Sequence, residues 1–202
     1  MHTTRREATS AGNPVVTVFG SSRARPGSPE YDEAWQLGRA LAARGLAVCS
    51  GGYGGVMEAV SRGAGEGGSE AIGVTASAFR GHANRWVTRE HRVGSWQERL
   101  FELVRRGDGY AVCPGGTGTL VELAVVWEML NKGLMRDKPF AVLGPFWLPV
   151  IERVSETETG RSTEGRTRGD RLLYRASSPL DAARFFAERL GAGLAGPLPD
   201  RG

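Results

Sequence analysis

The sequence predicts a doubly wound α/β domain, a parallel sheet with helices on both faces, and three observations carry that prediction. Short β-branched apolar runs alternate with amphipathic stretches of helical length, the pattern of β-α-β units with right-handed crossovers. Runs such as VVTVF (residues 15–19) and FAVL (residues 140–143) are continuously apolar, as strands covered on both faces must be. Three glycine turns follow strands, at Gly20-Ser21-Ser22, Gly51–Gly55 and Gly115–Gly118. In such a Rossmann-like sheet all three fall on the carboxyl edge, where ligands bind near the topological switch point.

The elements follow in order. Residues 1–13 are polar, carry Arg5 and Arg6 and lack the apolar core of a signal peptide, so they read as a disordered leader to a cytoplasmic chain. The domain spans residues 14–190. Pro14–Gly20 is a strand ending in a turn; Ser28-Pro29-Glu30 then opens a helix with a capping residue, a first-position proline and an early acid, and Gly45 stops it. A strand at Leu46–Cys49, a helix at Val56–Gly65 and a strand at Ala71–Val74 follow. Residues 76–92 read as irregular, with a short strand at Trp86–Thr88. Trp96–Arg106 has helical periodicity, Gly109–Cys113 is a strand, and Leu120–Leu130 a helix. Phe140–Leu143 is a strand and Trp147–Val154 a short helix. Residues 155–171 contain no large apolar side chain, so burial cannot offset their ordering entropy, and they read as a flexible flap. Leu172–Tyr174, a helix at Leu180–Leu190 and a tail over 191–202 close the chain.

Composition excludes several classes. No run of about 18 apolar residues exists, so no spanning helix is expected. The net charge is +4, but its arginines are scattered among acids, which argues against a nucleic-acid groove. Two cysteines, Cys49 and Cys113, are too few for a disulfide framework and read as reduced core thiols. No His/Cys/Asp cluster has metal-ligand spacing, and no metal or cofactor is expected. Trp35, Trp86, Trp96, Trp127 and Trp147 read as core or subunit-contact residues, and His82 and His91 as solvent-facing or structural.

The turns carry the chemistry. Glycines at a strand-to-helix junction let backbone approach a ligand, and the free N–H groups of the following helix favour an anion. Cys113-Pro114-Gly115-Gly116-Thr117-Gly118-Thr119 supplies such a cradle, with two threonine hydroxyls added. No lysine follows, so it is not a Walker loop, and Gly20-Ser21-Ser22 lacks the dinucleotide spacing. Glu122 lies one turn further on, roughly 5 Å from a phosphate held at the helix start and in reach of a ribose. Arg99 stands on the preceding helix.

Pro114-Gly115-Gly116-Thr117-Gly118-Thr119-Leu120-Val121-Glu122 resembles the P-G-G-x-G-T-x-x-E signature of the LOG (Lonely guy) family, once widely described as possible lysine decarboxylases. Arg99 stands at the offset of that family's catalytic arginine. Gly51–Met57 resembles its second glycine motif, which brings in Gly52 and Gly54, and Val18–Ser22 its first strand and turn, with Gly20 and Ser21. The resemblance implies hydrolysis of the N-glycosidic bond of AMP or an N6-modified AMP to free base and ribose 5-phosphate. Glu122 and Arg99 would be catalytic, and Gly115, Gly116, Thr117, Gly118 and Thr119 would hold the phosphate. It also implies a homodimer or larger assembly, for which the helices around Trp96 and Trp127 are the candidate contact. Leu100, Val121 and Thr117 depart from the plant-type pattern, as does the loop holding Asn84-Arg85-Trp86, and a divergent bacterial branch fits better. The same superfamily includes molybdenum-cofactor carriers and nucleotide sensors, so a non-catalytic binding protein is the alternative. A nucleic-acid-binding relative of the DNA-processing Rossmann proteins is a weaker third. Decarboxylation is excluded, because Lys132 and Lys138 have no setting for a pyridoxal Schiff base.

Overall fold

In the computed structural model, which describes residues 12–159 and 172–192, the chain forms seven parallel strands. These are β1 (Val15–Phe19), β2 (Ala47–Ser50), β3 (Ala71–Ala76), β4 (Arg89–Val93), β5 (Gly109–Val112), β6 (Phe140–Leu143) and β7 (Leu173–Ala176). Six helices alternate with them: α1 (Pro29–Ala42), α2 (Val56–Glu66), α3 (Trp96–Arg106), α4 (Thr117–Asn131), α5 (Leu148–Thr159) and α6 (Pro179–Leu190). The strand order is β4-β3-β2-β1-β5-β6-β7, so the winding direction reverses between β1 and β5. The predicted doubly wound α/β class is therefore the observed one.

Alternation along each strand builds two cores. Val16, Val18, Val48 and Ala111 face α1, α2 and α6 and pack on Leu37, Leu41, Val60 and Phe186. Phe19, Val74, Tyr110 and Val112 face α3, α4 and α5 and pack on Leu103, Leu123, Trp127 and Ile151. The helix starts follow from local chemistry. Ser28 caps α1 by accepting from the Tyr31 N–H, with Pro29 at the first position. At α3 Ser95 Oγ caps the helix by accepting from the Glu98 N–H (3.2 Å), and Glu98 reaches back past the cap to accept from the Gly94 N–H (2.8 Å).

Three boundaries differ from the sequence reading. The stretch read as irregular, with a strand at Trp86–Thr88, instead carries β4 at Arg89–Val93, in register with β3 from Ile72↔Arg89 to Ala76↔Val93. As an outer strand it needs no apolar run, and its charged REHRV sequence suits an edge. Helix α4 starts at Thr117 rather than Leu120, so half of the glycine turn is the helix's first turn. Helix α5 continues through Ser155, which is buried, to Thr159, so the segment read as a flap begins as helix. The rest of that flap, most of the leader and nearly all of the tail lie outside the described residues.

Candidate active site

The reversal between β1 and β5 opens a crevice at their carboxyl ends, and backbone hydrogen bonds tie its three glycine turns together. The Ser21 N–H donates to the Pro114 carbonyl (3.0 Å), and the Val56 N–H donates to the Ser21 carbonyl (2.8 Å). A cleft of about 780 Å³ lies above them. Gly20 and Ser21 of the first turn, Gly116–Thr119 of the third, Arg99 and Glu122 all line it. Gly52 and Gly54 do not: Gly52, at φ +76°, backs onto β3 at Gly73, and a Cβ on Gly54 would meet only the Ser22 carbonyl, at 3.9 Å. Gly115 faces an adjoining pocket.

Gly116 caps α4 with no side-chain hydrogen bond, and the first turn holds no acid. The first intrahelical bond there is Leu120 N–H to Gly116 carbonyl, which leaves the N–H groups before it for a ligand. A Cβ added at Gly116 or Gly118 would meet nothing within 4 Å, so that space is open to the cleft. Gly118→Ala is therefore expected to fold normally and gain roughly 0.5–1 kcal/mol from helix propensity. The same methyl would fill anion space, so the ligand's Kd or KM should rise about tenfold or more. Thermal unfolding and titration, run side by side, separate the two effects.

Arg99 projects from α3 and is 8% exposed. Its Nε donates to the Val74 carbonyl (2.8 Å), a terminal nitrogen lies 3.7 Å from the Met57 sulfur, and its guanidinium stands 5.5 Å from the ring centres of both Tyr53 and Phe79. Burial among these groups pulls its pKa down, while the Glu122 charge opposes that shift. Glu122 is half-buried and makes no hydrogen bond or ion pair among the described residues. Burial pushes its carboxyl up to about 7, and the Arg99 charge pulls the other way. Two opposite charges thus face one cleft without closing on each other, an arrangement that leaves both available to a ligand.

The sequence did not single out the residues that hold Arg99. Gly51 is one: a Cβ there would lie 1.6 Å from an Arg99 terminal nitrogen. Asn84 is another. Its Nδ2 donates to the Gly52 (3.1 Å) and Tyr53 (2.9 Å) carbonyls, and its Oδ1 accepts from the Trp86 N–H (3.0 Å). It pins the β3–β4 loop, and with it Phe79, against the second glycine turn. A lone Asn in a polar loop carries no periodic signal, so only the fold reveals it. Gly51→Ala is expected to displace the guanidinium and cost about 10²-fold in kcat/KM, read from steady-state kinetics, with the chain still folded.

Of the other candidates, all but Trp96 lie away from the cleft. Both cysteines are buried, and burial pushes each thiol up to about 12, which removes them as nucleophiles. Trp127 is core, Trp147 donates to the Cys113 carbonyl (2.9 Å), and Trp96 lines the cleft. His91 contacts Glu102 (3.1 Å) on the outer surface, and His82 is exposed. Among the described residues no group of three His, Cys, Asp or Glu could hold a metal ion, and no helix is long and apolar enough to cross a membrane.

A family model described as the SLOG cluster4 family matches residues 13–146, which hold all of the cleft residues above. The chain belongs to the SLOG cluster4 family. This SLOG chain is 34% identical over 131 residues to a probable cytokinin riboside 5′-monophosphate phosphoribohydrolase, LOGL9, of Oryza sativa subsp. japonica. It is equally similar (34% over 134 residues) to the cytokinin riboside 5′-monophosphate phosphoribohydrolase LOG of the same plant. The matches cover 63% and 64% of this chain and only 57% and 54% of those relatives. The molybdenum cofactor binding protein of Rippkaea orientalis shares the fold over 88% of this chain and 98% of its own, with a TM-score of 0.70 and 24% identity.

Proposed function

We propose that this chain is a nucleoside 5′-monophosphate phosphoribohydrolase that cleaves the N-glycosidic bond of AMP or an N6-modified AMP. The observation that carries the reading is Glu122: an unpaired carboxyl, held near neutrality by burial, set in a cleft beneath an open helix start and facing Arg99. The relatives' phosphoribohydrolase names support it.

In this reading the 5′-phosphate sits on the N–H groups and threonines at the start of α4 and supplies remote binding energy for positioning. The bond from ribose C1′ to the base nitrogen breaks with its electron pair leaving on the base, and positive charge builds on the ribose. The Glu122 carboxylate stabilises that oxocarbenium-like charge, orients the water that adds to C1′, and takes its proton. Arg99 holds the substrate and offsets charge on the departing base, which picks up a proton as it leaves. Free base and ribose 5-phosphate result, with no cofactor consumed.

The deciding experiment assays a panel of nucleoside monophosphates for free base, with the Glu122→Gln chain as control. Release of base by the parent chain alone supports the reading; no release from any monophosphate by folded protein removes it. Because Glu122 must be ionised to accept the proton, kcat/KM should fall about tenfold per unit below pH 7 and level off above it. A profile flat from pH 5.5 to 8 would dismiss Glu122 as the base.

A carrier role is the second reading, favoured by the whole-length likeness to a molybdenum cofactor binding protein. It predicts tight binding of a phosphorylated pterin and no base release. Co-purifying ligand identified by mass spectrometry distinguishes the two.

A further inference from the structure

Beside the cleft, and sharing Ser21 and Arg23 with it, lies a second pocket of about 420 Å³ that the hydrolytic mechanism leaves unused. Its walls come from the first turn and the start of α1 (Ser21, Arg23, Arg25, Ser28) and from Pro114 and Gly115. Ser21 and Arg23 line the cleft as well, so the two spaces adjoin at the phosphate end. Gly115 and Gly116 are neighbours on one turn, the first lining the pocket and the second the cleft.

The pocket's charge is uncommitted. Surface arginines elsewhere, such as Arg62, Arg106 and Arg184, are held in ion pairs with Glu66, Glu102 and Asp181. The Arg23 and Arg25 side chains make no ion pair or hydrogen bond among the described residues, although both stand on this wall. Glu30, an acid of the first turn of α1, also lines the pocket, and the two guanidinium groups outnumber it. Two planar, permanently charged forks on one pocket wall, against the single Glu30 carboxylate, suit a phosphoryl group.

We infer that this pocket is a subsite for a second phosphoryl group, attached to the phosphate seated at α4, so that the chain binds nucleoside 5′-diphosphates as well as monophosphates. The inference rests on the reading of the cleft as a nucleotide site. It does not rest on turnover. A diphosphate would place its inner phosphoryl at Gly116–Thr119 and its outer one toward Arg23 and Arg25, acting as a competing ligand or regulator of the monophosphate site.

The test is calorimetric titration of the Glu122→Gln chain, which should not consume nucleotide, with AMP, with ADP, and with each in the presence of inorganic phosphate. ADP should bind about tenfold more tightly than AMP, the equivalent of one additional charge-assisted hydrogen bond. Arg25 lines only the second pocket, so Arg25→Ala should erase that advantage and leave the AMP Kd unchanged. Inorganic phosphate should narrow the ADP advantage by competing for the subsite. Equal or weaker binding of ADP overturns the inference, as does an Arg25→Ala chain that keeps the full advantage. AMP binding that strengthens with added phosphate also overturns it, assigning the pocket to a free ion. Base release from AMP is assayed separately on the parent chain. An ADP advantage without release retains the subsite and removes the hydrolase; release without the advantage does the reverse.

Discussion

Replacing Glu122 with Gln should lower kcat for base release by about 10³-fold, within the range for a lost base and electrostatic stabiliser, with little change in KM. The amide keeps the side chain's shape and leaves the α4 cradle untouched, so binding survives while the group that accepts the water's proton is gone. Stability should move the opposite way. In the folded chain the carboxyl keeps its proton to about pH 7, whereas its ordinary value is 4.5. Between those pH values the unfolded chain gives up the proton first, so ionisation disfavours folding as pH rises. The cost is absent below about pH 4.5 and complete above about pH 7. The displacement bounds it at roughly 3 kcal/mol, reduced to about 1–2 kcal/mol by solvent screening of a half-buried group. Glu122→Gln should therefore raise Tm at pH 8 and leave it unchanged at pH 4. A variant that loses activity and stability together at pH 8 would mark Glu122 as a structural residue.

Arg99→Met is the second large effect, expected to cost about 10²–10³-fold in kcat/KM. Methionine retains an unbranched apolar stem between Tyr53 and Phe79, so the fold should persist despite the lost bond to the Val74 carbonyl (2.8 Å). Arg99 is the charge that holds the Glu122 pKa down against burial. Without it, the alkaline-rising limb of the pH profile should move above 7. A rate loss with an unmoved limb would leave Arg99 a substrate clamp with no electrostatic hold on Glu122. Arg99→Lys should not restore activity, because an ammonium has neither the planar face for two rings nor a fork to share between Val74 and substrate.

How much of this was legible in the sequence depended on what each residue does. Strands covered on both faces declared themselves as apolar runs, and helix α1 by Ser28-Pro29 at its start. Strand β4 did not, because an edge position selects charge over hydrophobicity, and its pairing with β3 is a non-local fact. The start of α4 was read three residues late because Thr117-Gly118-Thr119 has poor helix propensity, which the sheet junction overrides. In the site, Glu122 and Arg99 were legible as members of a motif, and the cleft brings both together. Gly51 was legible only as part of a glycine turn and Asn84 only as part of a divergent loop. Their hold on Arg99 was not legible, since one acts by having no side chain and the other through three bonds that exist only after folding.

The void at Gly51 has a bearing on how sequences of this fold can be sorted. The guanidinium of Arg99 fills the volume that any other residue at that position would claim, so the two sites are mutually exclusive occupants of one space. A chain that acquires even alanine at position 51 must give up the arginine's pose, whatever its glycine-threonine signature retains. Among relatives, glycine at this position should track with arginine at position 99, and its loss should mark lineages that have kept the scaffold and abandoned the chemistry.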